Sequence, residues 1–153
     1  MKLTIILIIA FYSVILSSRS RYGLAAALEL AINYGNKPLT IKTIAETSDI
    51  SSKYFEQLIA LLIRGGFVSS IRGPKGGYIL TRPPTEVKLT QVVMALEGPL
   101  MDSDCPKHSR FAKGCKDCAT RSIWNKAHNA MWSVFEALTL QDLIDMTTGK
   151  KKP

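Results

Sequence analysis

The sequence predicts a mainly α-helical chain with one small β-hairpin: an α+β, winged helix-turn-helix unit followed by a long C-terminal helix. Three observations predict it. Between Thr40 and Leu62 two short helical patterns are separated by the break Ser48-Asp49-Ile50. Two β-prone runs, Phe67–Ile71 and Tyr78–Thr81, then flank a glycine-rich loop that carries Arg72 and Lys75. From Thr120 onward an apolar stripe recurs at helical spacing.

The elements follow in order. Residues 1–16 form an apolar extension in which Lys2 precedes the run Leu3–Leu16. That run is short of the roughly 20 residues a membrane-spanning helix needs, though it has the look of a secretory core or an anchor. A first helix is expected over Ser20–Tyr34, where Tyr22, Leu24, Ala27, Leu28, Ala31 and Ile32 repeat helically before Gly35-Asn36 and Pro38. Arg19 and Arg21 at its start can meet phosphate, because a helix N-terminus is electropositive. Ile41, Ile44 and Ala45 define the next short helix. Ser51 or Ser52 caps the one after it through a side-chain hydroxyl. There Phe55, Leu58, Ile59 and Leu62 face inward, leaving Lys53, Tyr54, Glu56, Gln57 and Ala60 outside. Gly65-Gly66 ends it, since glycine accepts the left-handed cap conformation.

Two short helices joined by a tight turn, then a hairpin with a basic tip, make a winged helix-turn-helix covering residues 17–84. Pro83-Pro84 closes that unit, and a connecting helix is expected over 85–98, with Leu89, Val92, Val93 and Leu96 on its apolar side. Residues 99–119 have no apolar period and hold the three cysteines. Residues 120–147 comprise a helix with the stripe Ile123, Trp124, Ala127, Met131, Val134, Phe135 and Leu138, then a short terminal helix. In so small a unit that stripe has little of its own chain to cover, so a partner subunit is expected on it. Residues 148–153 are a basic tail.

Composition points the same way. The 153 residues are 46% hydrophobic, enough for one small core, and carry a net charge of +8 from 20 basic and 12 acidic side chains. Between Ser17 and Pro84 nine Lys or Arg face four acids, which suits a polyanion partner. No glycine-rich phosphate loop, His-Glu-x-x-His or serine-nucleophile motif occurs, so the chain reads as non-enzymatic.

The cysteine segment is the chemically distinctive stretch. Cys105, Cys115 and Cys118 fall within 14 residues, the last two as Cys115-Lys116-Asp117-Cys118. Thiolates at such spacing favour zinc, iron–sulfur clusters or copper(I). Lys107, Arg110, Lys113, Lys116 and Arg121 would offset their charge. With His108 the three cysteines also make a Cys₃His set of the kind a structural zinc site uses. Free thiols, or one disulfide with a spare, are the bland alternatives, and the odd count speaks against a disulfide framework.

Three strings carry a family likeness. Arg19-Ser20-Arg21-Tyr22-Gly23-Leu24, Ser51-Ser52-Lys53-Tyr54-Phe55-Glu56-Gln57-Leu58 and Arg72-Gly73-Pro74-Lys75-Gly76-Gly77-Tyr78 together resemble the IscR-like (Rrf-two) winged-helix transcription regulators, over roughly Ser17 to Asp145. The resemblance implies a homodimeric, cytoplasmic, bacterial regulator, mostly a repressor, that binds double-stranded DNA at a palindromic operator and often senses through an iron–sulfur cluster. Tyr54, Glu56 and Gln57 would discriminate bases. The candidate DNA-binding set is Arg19, Arg21, Thr40, Ser51, Ser52, Lys53, Tyr54, Glu56, Gln57, Arg72, Pro74 and Lys75.

The resemblance also maps Cys105, Cys115 and Cys118 onto a 2Fe–2S or 4Fe–4S site, with zinc as the alternative occupant. Here nine residues separate the first two cysteines and two separate the last pair, a less even spread than the family pattern. Arg121 stands where a family histidine ligand would be, so a fourth donor would come from His108, from Asp102, Asp104 or Asp117, or from the other subunit. The family's usual beginning places the natural start near Val14, with residues 1–13 an added extension. A membrane-attached, zinc-stabilised interaction module is the competing reading.

Overall fold

The helices are set by capping and by one apolar face each. In the computed structural model, which describes residues 17–46, 50–98 and 119–150, α1 spans Ser18–Ile32. It begins two residues before the expected start, because the Ser17 hydroxyl accepts the Ser20 N–H as an N-cap. It ends at Asn33, whose N–H returns to the Glu29 carbonyl at 3.2 Å. Helix α2 (Ile41–Ala45) is capped by the Thr40 hydroxyl, which accepts from the Thr43 N–H at 3.2 Å. Helix α3 (Ser52–Arg64) is capped by Ser51, settling the choice between the two serines. Phe55, Leu58, Ile59 and Leu62 are all at most 2% exposed, as their spacing predicts.

Helix α3 ends on the Gly65-Gly66 pair, as the sequence predicts, with Gly65 as its C-cap. Gly65 is still right-handed, and Gly66, at φ +77°, takes the left-handed position. The Gly66 N–H then bonds the Ile63 carbonyl (2.9 Å) and the Phe67 N–H the Leu62 carbonyl (3.0 Å), a Schellman closure. Strands β1 (Val68–Ile71) and β2 (Gly77–Leu80) pair antiparallel, with Val68 opposite Leu80 and Ile71 opposite Gly77. Leu39 adds a single-residue rung on the other edge of β2. Its N–H donates to the Tyr78 carbonyl (3.0 Å) and its carbonyl accepts the Tyr78 N–H (2.8 Å). The wing is thereby tied to the residue just before the Thr40 cap of α2.

Beyond the wing the helix expected over 85–98 starts later. Pro84–Glu86 forms a 3-10 turn, Val87 is extended, and α4 occupies Leu89–Glu97, closed by Gly98 at φ +84°. The reason is a long-range pairing. The Leu89 N–H donates to the Leu138 carbonyl and the Leu140 N–H to the Val87 carbonyl, both at 3.0 Å, so Lys88 and Thr139 form an antiparallel bridge. Helix α5 (Ala119–Glu136) enters that bridge and α6 (Leu140–Thr147) leaves it, with the Thr139 hydroxyl and the Asp142 carboxylate capping α6 reciprocally.

One continuous core results. Ala26, Ala27 and Leu30 of α1, Ile44 of α2, the α3 stripe, Val92 and Leu96 of α4 and Leu140 of α6 pack together. Burial at this level contributes roughly 1.5–3 kcal/mol per large side chain before entropy is counted. Helices α1 and α4 approach so closely that a Cβ at Gly23 would stand 2.3 Å from a Leu96 methyl.

Candidate nucleic-acid interface

The second helix of a helix-turn-helix presents whatever its core stripe leaves outside. On α3 that is Ser52, Lys53, Glu56, Gln57 and Ala60, all exposed. The Ser51 cap fixes the first turn, and the opposite face is locked into the core, so these side chains stand on a rigid scaffold. Exposed Ser51 and Thr40 cap the two helices, each with its hydroxyl accepting a backbone N–H of its own first turn. The wing tip is exposed from Arg72 to Lys75. Turn geometry shapes it: the Gly76 N–H bonds the Gly73 carbonyl at 2.9 Å, and Gly73 sits at φ +114°.

Three expected site residues also have contacts within the chain: Arg19, which is exposed, and Arg21 and Tyr54, which are half-buried. Tyr54 is half-buried and packs edge-on against Tyr22, with ring centroids 6.3 Å apart. Arg21 lies over the Tyr22 ring at 5.8 Å and donates to the Ser18 hydroxyl, which extends this stack from the first turn of α3 to the first turn of α1. The Arg19 guanidinium donates to the Leu96 carbonyl at the end of α4 (3.3 Å). Beside it the Glu97 carboxylate accepts from the hydroxyls of both Ser17 and Ser20. Burial pushes the Glu97 pKa up, but those two hydrogen bonds and the Arg19 charge outweigh it and hold the carboxyl below its ordinary value.

On α5, Ile123 and Val134 are 66% and 57% exposed, and Ala127 and Met131 are half-exposed. Phe135 and Leu138 pack against the chain's own core, so the lower end of the stripe is anchored at home. Cys105, His108, Cys115 and Cys118 lie outside the described residues, as does the Trp124 side chain. Gly98 and Ala119 nonetheless bracket the cysteine segment between the end of α4 and the start of α5. Among the described residues no helix is long and apolar enough to cross a membrane.

A rigid polar recognition face next to a basic wing is what a DNA-reading unit needs, and comparison with known proteins decides the lineage. The Rrf2 family, described as iron-dependent transcriptional regulators, matches residues 16–146. This chain belongs to the Rrf2 family. It is 34% identical to the transcriptional regulator CymR of Bacillus subtilis over 90% of this chain and 94% of that protein. IscR of Photorhabdus laumondii is 29% identical over 85% of this chain and 79% of its own length. Among solved structures, T. potens IscR superposes with a TM-score of 0.72 at 33% identity, covering 88% of this chain and 89% of that one. The B. subtilis CymR structure gives 0.71 at 34% identity, with coverage of 85% and 95%. The Rrf2 chain is therefore a winged-helix transcriptional regulator that binds DNA, not an enzyme.

What sequence reasoning missed are the long-range partners: Leu39 for Tyr78, Ser17 and Ser20 for Glu97, and Lys88 and Thr90 for Glu136. None belongs to a periodic pattern, so nothing local announces them.

Proposed function

We propose that this regulator works as a homodimer on a palindromic operator, acts mostly as a repressor, and binds DNA with an affinity set by a metallocluster at Cys105, Cys115 and Cys118. The observation that carries the DNA half is the exposed row Lys53, Glu56 and Gln57 on an otherwise buried α3, beside the exposed wing tip. Gln57 is suited to the N6 and N7 edge of adenine, and Glu56 to the N4 amine of cytosine. Arg72 and Lys75 contact phosphate or enter a narrow minor groove. The exposed apolar residues Ile123 and Val134 of α5 meet a second copy.

The donor chemistry fits a cluster. Three thiolates bind iron–sulfur centres, with one further donor from His108, a nearby aspartate or the partner subunit. When bound, the cluster supplies a redox- or iron-sensitive crosslink between the end of α4 and the start of α5. Zinc in a Cys105, His108, Cys115, Cys118 set is the alternative occupant, and it would stabilise rather than sense. Anaerobic purification with iron, sulfide and zinc analysis, followed by selection of bound sequences from a random duplex pool, tests both halves. Stoichiometric iron and acid-labile sulfide with a palindromic consensus is the expected result. Colourless zinc protein removes the sensor, and recovery of no consensus removes operator recognition.

A further inference from the structure

Among its described side chains, helix α5 reaches the core near its C-terminal end. Exposed Ile123, Asn125, Lys126, Asn129, Ser133 and Val134 mark most of its length, whereas Phe135 and the following Leu138 reach the core. At that end the bridge between Lys88 and Thr139 supplies two backbone hydrogen bonds. Two bonds side by side act as a hinge pin, which by itself would set the tilt of the helix only loosely.

Glu136 supplies what the pin lacks. Its carboxylate accepts from the Thr90 hydroxyl at 2.8 Å, and its backbone carbonyl accepts from the Lys88 ammonium at 2.8 Å. Thr90 is only 4% exposed and sits in the first turn of α4, the helix whose Val92 and Leu96 are packed in the same core as the DNA-binding helices. A buried hydroxyl bonded to a charged acceptor is a stiff, directional contact, and losing it strands a donor away from water.

We infer that Glu136, through Thr90, is a positioning residue that fixes the angle between α5 and the DNA-binding half and thereby sets the half-site spacing the dimer accepts. The inference rests on the proposed dimerisation through α5. Leverage makes it consequential. At 1.5 Å per residue the 18-residue helix is about 27 Å long, so a tilt of roughly 7° displaces one end by about 3.4 Å, one base-pair step. Slack at this single joint is enough to blur operator spacing while every base contact stays intact.

The test uses the full-length protein and duplexes built from the operator recovered by selection with wild type, with the gap between half-sites changed in single base-pair steps. Wild type should prefer one spacing sharply. Thr90→Val, which keeps volume and removes the donor, and Glu136→Ala should both flatten that preference by threefold or more between the best spacing and its neighbours. Their affinity for a duplex carrying one half-site should stay unchanged. Glu136→Gln, which can still accept from Thr90, should retain the wild-type profile. Variants that melt lower yet keep the wild-type spacing profile would reduce Glu136 to a structural role and overturn the inference. A wild type indifferent to spacing overturns it as well, while leaving sequence-specific binding to be judged separately by the selected consensus.

Discussion

Gly77 and Leu39 touch so closely that a Cβ on Gly77 would stand 2.4 Å from the Leu39 carbonyl oxygen. Gly77 also holds φ +156°, a conformation that side-chain-bearing residues rarely adopt. Both facts belong to one contact, the rung that joins the wing to the start of α2. Gly77→Ala should therefore lower unfolding stability by about 1–3 kcal/mol and loosen the wing. Urea melts together with operator binding check it. Full stability with full affinity would mean that the rung has no bearing on wing placement.

Gln57 is exposed on the rigid face of α3, with no core duty to confuse its replacement. Gln57→Ala should leave the melting temperature unchanged and relax preference at one base pair per half-site by roughly 1–3 kcal/mol. A binding assay over operators substituted at each position reads this directly. An unaltered preference at every position removes Gln57 from base readout.

Arg72 stands exposed at the wing tip, ahead of Gly73-Pro74. Its loss should weaken binding to all sequences alike. The slope of log affinity against log salt should fall by about one unit per subunit, since one phosphate-neutralising charge is gone. A slope equal to wild type means that Arg72 does not meet the duplex.

Much of this architecture was legible because it is local. The spacing of Phe55, Leu58, Ile59 and Leu62 announced a buried stripe, and Gly76-Gly77-Tyr78 announced a tight hairpin. The start of α4 was misplaced by a few residues because Val87 and Lys88 are recruited as an extended segment by Leu138–Leu140, some fifty positions away, and no local pattern encodes that. Arg19 has a long-range partner of the same kind. From its exposed place at a helix start, its guanidinium also donates to the Leu96 carbonyl at the end of α4, a contact that no local pattern encodes. Tyr54 likewise divides itself between the outer face and the Tyr22 ring.

The Glu97 latch gives a pH signature. Its carboxyl is held below the ordinary value of 4.5, so the folded state binds this proton more weakly than the unfolded chain does. The stabilisation it brings is fully present above the unfolded pKa and is lost as pH falls through the lowered folded value. Glu97→Gln should therefore melt below wild type at pH 7, and the gap should shrink below about pH 5 and close in stronger acid. A gap independent of pH would show that the Ser17 and Ser20 bonds do not depend on the carboxylate charge.

The final prediction concerns the cysteine segment, which joins the end of α4, latched to α1 through Glu97, to the start of the outward-reaching α5. A cluster bound there would tie the DNA-binding half to the proposed dimer helix at the end opposite the Lys88–Thr139 bridge. Its loss should then free that end, and operator affinity would change only to the extent that the two states bind DNA unequally. Cys118→Ser should lose iron, sulfide and visible absorption, remain folded and dimeric, and change operator affinity by about tenfold, a coupling of roughly 1.4 kcal/mol. Structural zinc makes a different forecast, because metal affinity is then folding energy and the variant loses stability rather than regulation. Sedimentation, melting curves and operator titrations on anaerobically prepared wild type and variant separate the two. A colourless wild type whose Cys118→Ser form melts lower but binds the operator equally well while folded would refute cluster gating and leave the loop a structural staple.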